Sequence, residues 1–393
     1  MLRQLRWSNM GHHFQLLKSW WPRGKAGREL WQGLLFSRIG LLLAGWVALA
    51  ELPWQFYSPS YNPSGNPLVV MWIRWDALWY TGIAAHGYWT GALAFFPLYP
   101  LLIAAVHAVT RASFDLSAVI VSNVSLVLFA VAFYRLVREY FSDRVARRAV
   151  WMALLFPTAF FLSAGYTEAL FLWLSCATFL AARRQQLWVA AIFGFFAVLT
   201  RNEGMFVAIP ILWAYYQRHR FRITRDILPV LLIPLALAVF MAYQWRDFGN
   251  AFAFLAAQGN WGRHITWPWI GIFLAARTIW LGGPLQPDTV LSMIDALAAV
   301  SSGLLWVFGL RKRMPPDWLI YWGALWIIDI AAPDPTGQSP LLSMSRLVLV
   351  LFPNFVALSM LAKNSSWRRA LQWILPFLQA VFFAIFATWH WIA

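Results

Sequence analysis

Cysteine is almost missing: Cys176 is the only one in 393 residues, and it lies inside an apolar run. One thiol excludes an intrachain disulfide framework and a cysteine-based zinc cluster. Charge is scarce as well, at 12% of residues, with only 15 Asp and Glu. A water-soluble protein of ordinary composition carries about twice that share of charge. Nucleotide and metal signatures are also wanting. The sequence has no Walker A pattern, no G-x-G-x-x-G after a strand, no H-E-x-x-H and no Asp-x-Asp pair. Each would have placed backbone amides or ligands where phosphate or metal chemistry needs them. His86, His107 and His264 are too scattered to suggest a metal site.

What fills the chain instead is apolar: 61% of residues are hydrophobic, in runs such as 116–134 and 227–243. A spanning helix needs about 20 such residues to cross the hydrocarbon. The 27 Trp suit a membrane protein too, because indole favours the interface. The net charge of +16 invites a nucleic-acid reading, but the basic residues fall mainly in short loops between apolar runs. That is the positive-inside pattern of a membrane protein, and nucleic acid is not needed to explain it.

The sequence therefore predicts an all-α, polytopic membrane protein. A basic cytoplasmic tail covers 1–31 and a single transmembrane domain covers 32–393. Eleven spans are expected, at about 32–50, 116–137, 147–163, 168–182, 187–200, 204–216, 227–245, 289–310, 318–331, 346–362 and 371–391. The short apolar stretch 95–109, with Pro97 and Pro100 in its first turn, is assigned as re-entrant. Counting it as a span would put the arginine cluster 135–148 outside, against the charge rule. Two extracytoplasmic loops follow, at about 51–115 and 246–287. The first opens with an irregular Pro/Ser/Asn/Gly-rich strip from Pro53 to Pro67, then turns helical over 71–86, with Gly87 placed to end the helix.

Polar residues at the outer side are the candidates for chemistry. Helical period puts Asp76, Trp79 and Tyr80 on one face, with Trp75 adjacent. A carboxylate there can take a proton from an attacking hydroxyl, and Trp75, Trp79 and Tyr80 offer rings to stack on a sugar. Arg201, Arg263 and Arg346 all lie on the same side and are candidate ligands for a phosphate, a task that suits planar guanidinium. Arg346 opens a span, where a cation opposes the helix dipole and a bound anion would offset it. Tyr166, Glu168, Asn202, Glu203 and Gln258 complete the candidate sugar- or acceptor-binding set. Competing readings remain at this stage: Asp76 paired with Arg74 or Arg111, Glu168 as a helix cap, and an Arg201–Glu203 pair in a turn.

Taken in order, Arg74-Trp75-Asp76, Ile83-Ala84 with Gly87-Tyr88, Ala94-Phe95-Phe96-Pro97-Leu98-Tyr99-Pro100, Tyr166-Thr167-Glu168, Thr200-Arg201-Asn202-x-Gly204 and Arg346 resemble the PIG-V (GPI mannosyltransferase 2) family. The resemblance implies a GT-C fold and an inverting transfer of mannose from a polyprenyl-phosphate donor to a lipid-linked or glycan acceptor. It places Asp76 on the family's loop carboxylate. A leaving phosphate already charged and held by arginines would require no metal, so none is expected. Trp89-Thr90-Gly91 departs from eukaryotic members that carry an acidic residue there, and the loops are short. Both favour a prokaryotic relative in the plasma membrane. The competing class is a transporter or flippase of a lipid-linked sugar, for which polar groups at the midplane, with Asp295 and Asp329 nearest to it, would be the signal.

Overall fold

The computed structural model describes residues 21–54, 65–220, 222–259, 262–335 and 339–392. Most of the expected basic tail and of the Pro53–Pro67 strip lies outside these residues. Among the described residues the chain is helical and contains no strand. Five helices among these residues are long and apolar enough to cross a membrane: Gly24–Glu51, Phe114–Arg138, Arg225–Phe248, Pro287–Arg311 and Ser365–Ala387. A sixth candidate is the pair Met344–Val350 and Pro353–Leu361, bent by 88° at its break. The protein is an integral membrane protein. The other expected spans correspond to shorter helices, among them Glu168–Arg183, Leu187–Val198, Ala208–His219 and Pro316–Ile330.

Phe114–Arg138 is the centre of the bundle, with 61% of its apolar window buried against 22–33% for the other long helices. Its ends follow from local chemistry. Ser113 Oγ accepts from Leu116 N–H, Asp115 sits in the first turn, and Arg135 and Arg138 sit in the last, each where the macrodipole favours it. Beside it, Glu168–Arg183 is buried on nearly every side, including Glu168 itself.

The expected span 147–163 is broken. Its helix, Asp143–Leu154, stops just before Pro157 and resumes as a short 3-10 turn, Ala159–Leu162. Proline disfavours helix in the residue before it, and the freed carbonyls find donors inside the protein. Arg38 gives Nη2–H to Leu154 O and Nη1–H to Ala159 O and Ser163 Oγ, while Gln379 Nε2–H also reaches Leu154 O. Arg38, a charge inside an apolar run, is thus the donor that makes irregular backbone tolerable at this depth. Hydropathy alone counted the segment as a continuous span.

The segment expected to be helical over 71–86 is helical only from Asp76, because Trp75 at φ 54° interrupts it. A helix over Asp76–His86 ends at Gly87, whose φ of 80° is a left-handed conformation that glycine adopts without penalty. The apolar helix Leu98–Thr110 follows. At 1.5 Å per residue its 13 residues extend about 20 Å, short of the roughly 30 Å hydrocarbon. The stretch 246–287, expected as the second outer loop, contains the helices Ala253–Gln258 and Pro268–Leu281.

Candidate active site

Asp76 is held at the start of its helix by contacts that begin two residues earlier. Asp76 pairs with neither Arg74 nor Arg111 but with Arg346, and Arg74 itself is almost fully buried. It donates Nε–H to Ala387 O and Nη1–H to Val70 O and Ile73 O, and its guanidinium stacks on Trp389 at 4.6 Å. Trp75 then adopts φ 54° and ψ −118°, a conformation that costs a non-glycine residue about 1–3 kcal/mol. Tyr166 bridges this strained step. Its hydroxyl donates to Arg74 O (3.1 Å) and accepts from Asp76 N–H (3.2 Å). Tyr166 therefore fixes the backbone on both sides of Trp75, and through it the aim of the Asp76 carboxylate.

The glycines of the two short motifs explain how their neighbours arrive. A Cβ on Gly165 would come within 2.8 Å of Ile73 and 3.0 Å of Ala77, so only glycine lets the turn close on the segment that carries Asp76. There Gly165 N–H donates to Trp72 O. At Gly204 a Cβ would meet the backbone of Ala197 and Val198 at 2.5 Å. Its absence lets the 3-10 helix Asn202–Val207 fold back onto the end of Leu187–Val198. These two close approaches bring Glu168, Arg201 and Glu203 toward Asp76.

The result is a chain of alternating charges. Arg346 Nη1 lies 2.7 Å from Asp76 Oδ2, and its Nε is 3.7 Å from Glu168 Oε1. Arg201 Nη1 is 2.9 Å from the same Glu168 oxygen, and its Nη2 is 3.0 Å from Glu203 Oε1. The side chain of Glu168 is 1% exposed, a burial that a carboxylate tolerates only when paired. At Glu203, burial works to raise the pKa, but the adjacent Arg201 charge outweighs it and holds the carboxyl below its usual range. Asp76 keeps 17% of its side chain exposed, and its Oδ1 has no hydrogen-bond partner among the described residues.

These groups open on a cavity of about 870 Å³, its mouth included. It brings together Asp76, Tyr80, Tyr166, Glu168, Arg201, Asn202, Glu203, Gln258, Arg263 and Arg346, residues spread over 270 positions of sequence. Three carboxylates meet three guanidiniums there. Arg263 is the guanidinium that has no carboxylate within salt-bridge distance among the described residues. It donates instead to Leu342 O at 2.6 Å, and burial lowers its pKa. A partly desolvated cation with no acidic partner is the place in this cavity where an anion would be stabilised most.

Two predicted residues stand apart. Trp79 lies outside the lining, stacked between Trp89 and Phe95, and so backs the wall that Phe95 and Phe96 present. Trp75 is also outside, set edge-on to Trp389 and Trp391. Helical period placed both near the right face, but at the strained step Trp75 turns its ring toward Trp389 and Trp391, just past the helix Ser365–Ala387. The cavity includes Trp391, Thr200, Leu342 and Ser343, which sequence reasoning did not select. No spacing rule connects residue 391 to residue 76; only the packing of the last helix does.

The sequence pattern of the family described as Mannosyltransferase (PIG-V) matches residues 58–274, more than half of the chain. The chain belongs to that family. Among curated relatives, GPI mannosyltransferase 2 of Schizosaccharomyces pombe is 29% identical over 147 residues, which are 36% of this chain and 32% of the relative. The human GPI alpha-1,6-mannosyltransferase 2 is 29% identical over 208 residues, 47% of this chain and 42% of the relative. The matched segments thus span well under half of either relative. Among solved structures, the oligosaccharyltransferase of Archaeoglobus fulgidus tethered to an acceptor peptide aligns with 90% of this chain and 54% of its own. Its TM-score is 0.39 and its identity 14%, a likeness too loose to bear on the site. Within this PIG-V family chain, Asp76, Glu168, Arg201 and Arg263 fall inside the family match, whereas Arg346 and Trp391 lie beyond it.

Proposed function

We propose that this chain is an inverting mannosyltransferase that uses polyprenyl-phosphate-mannose on the extracytoplasmic side of a prokaryotic plasma membrane, with a lipid-linked or glycan acceptor. The observation that carries the reading is the convergence in one cavity of a reachable carboxylate, Asp76, and an arginine without an acidic partner, Arg263. In the transfer, the acceptor oxygen forms a bond to the anomeric carbon as the bond from that carbon to the phosphate oxygen breaks. The acceptor proton passes to Asp76, and polyprenyl phosphate leaves with one more negative charge. A single displacement of this kind inverts the anomeric centre.

Charge develops on the leaving phosphate, so a preorganised cation there lowers the barrier. Arg263 fits that task. Arg346 and Arg201 are already matched by Asp76, Glu168 and Glu203, so their part is to hold and aim those carboxylates, with Asn202 and Gln258 left to meet sugar hydroxyls. Because the leaving group is stabilised by guanidinium, the transfer is taken to be metal-independent. The transporter reading has less support, because Asp295 accepts from Ser339 Oγ and Ser345 N–H and so braces the bent pair.

Purified chain incubated with polyprenyl-phosphate-mannose and a membrane lipid extract should yield a glycolipid heavier by one hexose. No new product with any extract fraction would dispose of the assignment. In the same assay Arg263→Gln should raise the KM for donor by about 10–100-fold, the equivalent of one charged hydrogen bond. An unchanged donor KM would move the phosphate elsewhere.

A further inference from the structure

Among the described residues lining the cavity, Trp391 is the only tryptophan. It arrives from the far end of the chain, just after the helix Ser365–Ala387, and is anchored on both sides by buried neighbours, Trp389 and Ile392. Its ring meets Trp75 at 5.1 Å and 90°. Trp75 directly precedes Asp76, so Trp391 stands at the end of the cavity where a proton is to be taken. Arg263, tied to Leu342, lines the same cavity. A perpendicular ring contact covers at most one face of an indole, and Trp391 is half-buried and open to the cavity.

We infer that Trp391 is the stacking platform for the sugar ring that bears the attacking hydroxyl. This rests on the mannosyl-transfer reading and goes further by naming the residue that positions the acceptor. The apolar C–H face of a pyranose complements the electron-rich face of indole. A ring held there presents its hydroxyl to Asp76 while its other edge stays wet. The sequence offered Trp75 and Trp79 for this role, but Trp79 is sandwiched behind the wall and Trp75 points its ring at the last helix. Trp391 is the ring the fold puts in their place.

The test compares Trp391→Ala with Trp391→Phe in the purified, full-length chain. With polyprenyl-phosphate-mannose and a titrated glycolipid extract, the alanine variant should need about tenfold more extract for half-saturation. Its donor KM and melting temperature should hold, and phenylalanine should restore most of the affinity. An unchanged half-saturation, or a fall in kcat alone that is the same for both variants, would overturn the platform. Fluorine NMR of fluorotryptophan-labelled chain supplies a readout independent of turnover. The resonance absent from the phenylalanine variant should shift with octyl mannoside and stay put with octanol, and no shift with the mannoside would refute the inference. Absence of any product from the unaltered chain, together with that mannoside-dependent shift, would instead count against mannosyl transfer and leave the sugar site standing.

Discussion

Asp76→Asn should lower mannosyl turnover by about 10²–10⁴-fold, the usual worth of a positioned general base. The substitution is nearly isosteric, and the amide oxygen can still accept from Arg346 Nη1, which now lies 2.7 Å from Asp76 Oδ2. What it removes is the capacity to take the acceptor proton. Arg346 keeps a second carboxylate within reach in Glu168, at 3.7 Å, so the variant should fold and melt close to the unaltered chain. Donor binding should also persist, since Arg263 is untouched. The informative pattern is therefore a collapse in kcat with donor KM and melting temperature preserved, read from product mass spectra and a thermal melt in detergent. Turnover close to that of the unaltered chain would take the base away from Asp76.

The second large effect is on stability. Arg201→Met should destabilise the protein by about 3–5 kcal/mol, the cost of breaking a buried ion pair from one side. Arg201 is only 12% exposed and faces two carboxylates, Glu168 and Glu203. Without it, Glu168 has only the longer contact to Arg346, and its Oε2 is already buried without a hydrogen-bond partner. Glu168, only 1% exposed, cannot turn to water where it stands, whereas Glu203 keeps partial access through the cavity wall. Adding Glu168→Gln to Arg201→Met should recover part of the loss, because a neutral amide tolerates burial better than an unpaired charge. Denaturation by SDS titration in mixed micelles would measure both. An Arg201→Met protein as stable as its parent would mean that water reaches this network freely.

The candidate site was legible where polarity contradicts its surroundings. Asp76, Glu168, Arg201, Glu203 and Arg346 are charges next to apolar runs, and such residues are costly unless they face water or each other. Lining up on one side of the membrane made them a set before any contact was known. The short helix Leu98–Thr110 was also legible as an apolar stretch with prolines in its first turn. Three features were not. The break after Leu154 depends on donors from Arg38 and Gln379, which lie far away in sequence. The 88° bend near Leu351 sits directly before Pro353, a break that counting apolar residues over 346–362 passed over. The rotation of Trp75 needs a φ of 54° that no propensity for tryptophan would suggest.

The cavity walls come from residues 76, 168, 201, 263, 346 and 391, so no contiguous part of the chain contains the machinery. A nascent polypeptide with its first helices inserted already displays Asp76, yet lacks the guanidinium of Arg346 that grips it and the indole that would seat a partner. Reactivity should therefore switch on only when the helix Ser365–Ala387 docks against the segment around Arg74 and Ala387 O receives Arg74 Nε–H. Up to that moment, half-made protein in the membrane would be chemically silent toward lipid-linked sugars.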